Sequence, residues 1–240
     1  VHFEPPLLQG YFQRRYKRFF ADVILDSGEA VVAHCPNTGS MKNCLVEGGR
    51  CWVSTSDNPK RKLKYTLEAV TAKHGGMAGI NTGRTNKLIA EALGNSVITE
   101  LSMYTTIESE VRFGEENSRL DFCLSMGSGL DIPAQSCLVE VKNLTLGRKR
   151  GLGAFPDAVT SRGTKHLREL LFARQQGYRA VLLFCVQHTA VDHASVAGDI
   201  DPVYASTLQE VVSEGVEVLA YGTRMSRDAF VVDHPIPFQL

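Results

Sequence analysis

The amino-acid sequence predicts a mixed α/β (α+β) protein in two parts, an N-terminal OB-like small β-barrel over residues 1–78 and a C-terminal α/β domain over residues 79–240. Three observations carry this reading. Four or five short strands fill the first 75 residues, Gly75-Gly76 breaks their pattern, and helix-period and strand-period segments mix beyond it. Charge divides the chain at the same place. Residues 1–75 hold eleven Lys/Arg against seven Asp/Glu and residues 76–240 hold fifteen against nineteen, although 26 of each cancel over the whole chain.

In order along the chain, residues 19–25 alternate apolar and polar, turn at Asp26-Ser27-Gly28 and resume at 30–33, which is a hairpin pattern. Further strands are predicted at 50–55 and 64–70, and a basic set of short strands fits an OB-like barrel. Residues 86–93 then read as an amphipathic helix stopped by Gly94. Strands follow near 107–113, 119–125 and 137–142, then a helix over 163–176 that ends at Gly177 and an apolar strand over 179–186. A last helix at about 201–214 ends at Gly215 and leads into a strand over 216–221. A helix-turn-helix over 208–217 is disfavoured, because the segment is acidic and its second half is better strand than recognition helix.

With 43% hydrophobic and 22% charged residues the composition is that of a globular protein and excludes disorder, collagen-like repeats and a disulfide-stapled miniprotein. The longest apolar run, residues 180–186, falls far short of the ~20 residues needed to cross a bilayer. The N-terminal Val-His-Phe-Glu-Pro-Pro lacks a basic region followed by an apolar stretch, so a cytoplasmic location is expected. The six cysteines follow no framework spacing and include no Cys-x-x-Cys pair, which predicts reduced, buried thiols and argues against a zinc ribbon.

Eight of the eleven N-terminal cations fall in two segments, Arg14-Arg15-Tyr16-Lys17-Arg18-Phe19-Phe20 and Lys60-Arg61-Lys62-Leu63-Lys64-Tyr65, both interleaved with aromatics. One such cluster is readily a solvated strand face. Two in 75 residues point to a polyanion groove with stacking platforms, and so to nucleic acid, with Arg14, Arg15, Lys17, Arg18, Lys60, Arg61 and Lys62 as DNA contacts. The string His34-Cys35-Pro36-Asn37-Thr38-Gly39-Ser40 sets a thiol beside an imidazole, but its residue types are those of a turn.

The chemistry concentrates on two predicted strands. Asp121 stands on one, Glu140 and Lys142 two apart on the next, and therefore on one sheet face. Two carboxylates can hold Mg²⁺ or Mn²⁺ through oxygen, the ion activates water and offsets phosphodiester charge, and Lys142 orients the water or stabilises the transition state. The bland alternative is a surface salt bridge between Glu140 and Lys142. The Asp, then Glu-x-Lys arrangement resembles the PD-(D/E)XK, restriction-endonuclease-like superfamily, with Leu120 where that motif has Pro. In that superfamily an acidic residue on the leading helix often supplies another metal ligand, which makes Glu91 a candidate beside its reading as a solvated helix glutamate. On the following helix Lys165 and Glu169 are four apart on one face, and Lys165 is the candidate for the scissile phosphate. His166 reads as solvated or capping.

The strings Arg14-Arg15-Tyr16-Lys17-Arg18-Phe19, His34-Cys35-Pro36-Asn37-Thr38-Gly39-Ser40-Met41, Ser56-Asp57-Asn58-Pro59-Lys60-Arg61-Lys62, Glu110-Val111-Arg112-Phe113-Gly114 and Phe155-Pro156-Asp157-Ala158-Val159-Thr160 span nearly the whole chain. Together they resemble the sugar fermentation stimulation protein A family. The resemblance implies a bacterial protein that binds DNA without strong sequence preference and is proposed to regulate maltose metabolism. It also implies an OB-like domain joined to a PD-(D/E)XK-like one. The loop Gly147-Arg148-Lys149-Arg150-Gly151 is more basic than that family leads one to expect. Two function classes remain: a Mg²⁺- or Mn²⁺-dependent DNA nuclease, and a non-catalytic DNA-binding regulator of sugar metabolism genes on the same scaffold.

Overall fold

A computed structural model of the chain describes residues 1–114, 118–127 and 135–240. The barrel is built from β1 (Leu8–Tyr16), β2 (Phe20–Leu25), β3 (Ala30–His34), β4 (Arg50–Thr55) and β5 (Tyr65–Thr71), with β6 (Met77–Gly79) added beside β5. Its strands run in the order β3-β2-β1-β4-β5, and a parallel β3–β5 contact, Ala33 to Tyr65 and His34 to Thr66, closes the ring. Period-two alternation is what fills it: Ala21, Val23 and Leu25 of β2, Val31 and Ala33 of β3, and Cys51 and Val53 of β4 all point inward and are buried. At Gly10 a side chain would lie 2.5 Å from the Ile24 carbonyl oxygen, so glycine there lets β1 and β2 approach closely.

The second part follows as α1 (Thr85–Gly94), β7 (Thr106–Phe113), β8 (Ser118–Ser125), β9 (Cys137–Leu144), β10 (Leu146–Gly147), β11 (Leu152–Phe155), α2 (Ser161–Gln175), β12 (Arg179–Val186), β13 (His193–Val196), α3 (Pro202–Ser213), β14 (Glu217–Met225), β15 (Phe230–Pro235) and β16 (Phe238–Gln239). Six of these strands form one sheet in the order β15-β14-β12-β9-β8-β7. Its centre, β9-β12-β14, is parallel, and the β7-β8-β9 side is antiparallel. Helix α1 covers one face, packing Leu88 and Ile89 on Phe122, Val139 and Leu183; α2 and α3 cover the other with Leu167, Leu170, Tyr204 and Leu208 against Leu138, Leu182 and Phe184. Burying each such side chain stabilises the fold by about 1.5–3 kcal/mol. A sheet buried on both faces explains the unbroken apolar run of β12. The small sheet β10-β11-β13-β16 has no counterpart in the sequence reading, because its strands are only two to four residues long.

The two parts are tied together by polar contacts. Glu68 of β5, fully buried, accepts from Ser54 Oγ (2.6 Å), Asn81 Nδ2 (2.8 Å) and Arg84 Nη2 (2.9 Å). On the other side, the Asp157 carboxylate accepts from Ser40 Oγ (3.0 Å) and the Met41 N–H (2.9 Å). Phe3 and Leu7, ahead of the barrel strands, pack into the core under α1 rather than into the barrel. All six cysteines are free and buried. Among the described residues no helix is long and apolar enough to cross a membrane.

Candidate functional site

Strands β8 and β9 pair through Leu124–Cys137, Cys123–Leu138 and Phe122–Val139, and the ladder stops there. One step beyond, Asp121 stands beside Glu140, and its side chain replaces the missing main-chain partner: Asp121 Oδ2 accepts the Val141 N–H at 2.7 Å. The other oxygen, Oδ1, accepts from Asn86 Nδ2 of α1 at 2.7 Å. Glu140 and Lys142, two apart on β9, turn together toward α2, where His166 meets them. Glu140 Oε1 accepts from both Lys142 Nζ and His166 Nδ1. Arg162 Nε donates to His166 Nε2 at 3.4 Å, which assigns the imidazole proton to Nδ1. Glu140 Oε2 is buried and has no hydrogen-bond partner among the described residues.

These groups line a cleft of about 640 Å³, rimmed by Arg119 of β8, Arg162 and Lys165 of α2 and Glu110 of β7. The two carboxylates are tuned apart. Burial, reinforced by the neighbouring Glu140 charge, pushes the Asp121 carboxyl above its ordinary value. Burial acts the same way on Glu140, but the His166 hydrogen bond and the Lys142 ammonium outweigh it and hold that carboxyl below the usual range. Two adjacent acids, one with an unsatisfied oxygen, are what a hard cation relieves. Among the described residues no group of three His, Cys, Asp or Glu is arranged to hold a metal. An ion held by one or two carboxylates draws the rest of its shell from water and substrate oxygens, as Mg²⁺ does.

Of the residues singled out in the sequence, Asp121, Glu140, Lys142 and Lys165 come together in this cleft. Glu91 does not. Five residues beyond Asn86, it lies well around the α1 helix from the residue that reaches Asp121, and its carboxylate meets the Val1 nitrogen at 2.7 Å. Asn86 takes the place on the leading helix that Glu91 was expected to hold. His166, read as solvated or capping, is instead buried on Glu140. The signal for it lay in the spacing Arg162, Lys165, His166, Glu169, which is one stripe of a helix. Glu110 was legible only as part of a string. In the structure it sits opposite Asp121 between the Ser109–Phe122 and Val111–Leu120 pairs, with a left-handed φ of 58° that interrupts the ladder.

The basic residues divide. Lys17 and Arg18 stand exposed at the tip of the β1–β2 hairpin, and Lys60, Arg61 and Lys62 are exposed on the β4–β5 loop. Arg14 is exposed and paired with Asp22 at 2.7 Å. Arg15 is committed to the fold: it donates to the carbonyls of Arg18 (3.2 Å), Gly39 (3.0 Å) and Asn37 (2.9 Å), tying the hairpin to the 36–41 turn. In that turn Cys35 is fully buried, and burial pushes its thiol above the ordinary value, which removes it as a nucleophile. In the 147–151 loop, Arg148 is taken up by Asp199, at 2.6 and 2.9 Å.

A closed five-stranded barrel of OB topology joined to an α/β domain, with paired carboxylates and cations in a cleft of the second part, defines the class of this protein. The chain belongs to the sugar fermentation stimulation protein family. Residues 14–80 match the SfsA N-terminal OB domain, and residues 83–229 match the sugar fermentation stimulation protein RE domain. A sugar fermentation stimulation protein homolog of Teredinibacter turnerae is 55% identical over 218 residues, 91% of either chain. That of Shewanella loihica is 51% identical over 238 residues, 99% of either chain. The structure of Pyrococcus furiosus SfsA in complex with Ca²⁺ is similar throughout, with a TM-score of 0.84, 26% identity and coverage of 98% of this chain and 96% of that one.

Proposed function

We propose that this protein is a DNA-binding, metal-dependent phosphodiesterase, with Mg²⁺ or Mn²⁺ held by Asp121 and Glu140. The observation that carries the reading is the buried Glu140 Oε2, without a partner among the described residues, beside Asp121 in a cleft whose other groups are mainly cationic. A structural salt bridge to Lys142 uses Oε1 and gives no account of Oε2. The Ca²⁺ bound by the Pyrococcus furiosus relative supports a divalent-cation site in this family.

In this reading a bound divalent cation supplies an acidified water and neutralises charge on the phosphate. The chain's own residues do the rest. Asn86 and the Val141 N–H orient Asp121, and His166 fixes Glu140. Lys142, anchored on Glu140, stabilises the charge that builds on the phosphoryl oxygens, while Arg162, Lys165 and Arg119 hold the flanking phosphates. DNA reaches the cleft from the exposed cations of the β1–β2 hairpin and the β4–β5 loop, the two loops with which OB barrels contact oligonucleotides.

The test is incubation with labelled single- and double-stranded DNA in Mg²⁺, Mn²⁺ or EDTA, beside Asp121→Ala and Glu140→Ala. Metal-dependent cleavage absent from both variants is the expected result, and Lys142→Ala should abolish cleavage while leaving DNA affinity nearly unchanged. The curated relatives are named for stimulation of sugar fermentation, and the second reading is a non-catalytic DNA-binding regulator of sugar metabolism genes. Binding without cleavage across all substrates and metals would select it.

A further inference from the structure

On the barrel, away from the carboxylates, Phe20, His34, Arg61, Lys62 and Leu63 line a groove of about 310 Å³. Its surroundings are layered. The Arg14 guanidinium lies 5.3 Å from the centroid of Tyr16, and Tyr16 stacks on Phe20 with ring centroids 5.3 Å apart and planes 19° from parallel. His34 closes the aromatic side. Burial and the charge of Arg61 hold its imidazole below the ordinary value, which favours the neutral ring. The acid nearest this stack, Asp22, is occupied by Arg14.

The hairpin tip beside the groove is strained. Lys17 and Arg18 adopt φ of 47° and 62° in succession, a left-handed conformation that disfavours any residue with a side chain, and neither is Gly or Asn. The next residue, Phe19, is 49% exposed. The turn sets two cations and an aromatic ring into solvent.

We propose that this groove is a single-strand site, taking one unstacked nucleobase against Phe20 and His34 with Arg61 and Lys62 on the adjoining phosphates, and Phe19 stacking on the next base. This rests on the DNA reading above and names the form of the substrate. A base within a duplex shows only its edges, whereas a recessed aromatic pair needs a base face, which only single strands, flaps and frayed ends offer. The strand held here threads toward the cleft along the turn that Arg15 ties to the hairpin and that Ser40 ties to Asp157, four residues before α2.

The experiment is fluorescence anisotropy of the full chain in EDTA with a labelled 20-nucleotide oligothymidylate and a blunt 20-base-pair duplex at one salt concentration. The single strand is expected to bind at least tenfold more tightly. Phe20→Ala should weaken it about tenfold or more and leave the duplex within about twofold, as loss of one stacked base dictates. Photocrosslinking of an iodouracil-substituted oligonucleotide to the unaltered protein, read by mass spectrometry, should mark the peptides that hold Phe20 or His34, and this holds whatever Phe20→Ala does to folding. Equal affinity for both DNA forms, equal loss for both on Phe20→Ala, or crosslinks confined to α2 would overturn the single-strand site while leaving DNA binding intact. Failure to bind either DNA form would overturn the DNA reading itself.

Discussion

Replacing Arg84 by Met removes the only charged partner of Glu68 among the described residues, leaving a carboxylate with no solvent exposure at the junction of the two parts. Breaking a buried ion pair from one side costs about 3–5 kcal/mol, because the charge left behind is neither solvated nor paired. Here Ser54 and Asn81 still donate to Glu68, at 2.6 and 2.8 Å, which places the loss near the lower end, about 3 kcal/mol. For a chain of this size that is about 6–12 °C in Tm. Adding Glu68→Gln should recover much of it, since the neutral amide sheds the uncompensated charge, keeps its carbonyl oxygen as acceptor for Asn81 Nδ2, and turns its NH2 toward the Ser54 hydroxyl, which can accept. The assay is thermal and urea denaturation followed by fluorescence. The single tryptophan, Trp52, sits on β4 with its ring 6.2 Å from that of Phe230 on β15, so it reports on the junction itself. A Tm change below about 2 °C, or a double variant less stable than Arg84→Met, would refute the reasoning.

Three further outcomes follow from particular contacts. Burial lowers the His188 imidazole to about 4, so the unfolded chain takes up a proton near pH 6.5 that the folded chain refuses. Stability should therefore fall as pH drops from about 6.5 to about 4, by up to about 3 kcal/mol, and urea midpoints of His188→Gln should show a flatter dependence over that window. At Gly114, with φ of 87°, a Cβ would lie 1.5 Å from the Glu169 carboxylate. Gly114→Ala should destabilise by about 2 kcal/mol or more in chemical denaturation and displace α2, which carries Arg162, Lys165 and His166. His166→Ala should weaken Mn²⁺ affinity by about tenfold or more in calorimetry, as loss of a group that orients a ligand does, with His166→Asn restoring part of it; unchanged affinity would remove His166 as the positioning residue of Glu140.

Much of the frame was legible in the sequence because it depends on local pattern. The predicted helix over 86–93 is α1, the one over 163–176 is α2, and the one over 201–214 is α3, each found from apolar spacing and a terminating Gly or its neighbour. The disfavoured helix-turn-helix is the end of α3 running into β14. Period two along β9 puts Glu140 and Lys142 on one face. The strand β1 and the two- to four-residue strands of the small sheet escaped, since pairing rather than alternation makes them.

What the sequence by itself determined was the three α-helices, the strands with clear alternation or an unbroken apolar run, the charge division near residue 75 and the Asp121, Glu140, Lys142 core of the candidate site, because each follows from periodicity and residue type within a short stretch. Only the tertiary structure decided that the barrel closes through β3 and β5, that Asn86 rather than Glu91 faces Asp121, and that Arg15 serves the fold. The same holds for His166, whose Nδ1 meets a carboxylate 26 positions away in the chain. Rotation about a helix axis and the register between strands distant in sequence fix those contacts, and neither is written in the local pattern.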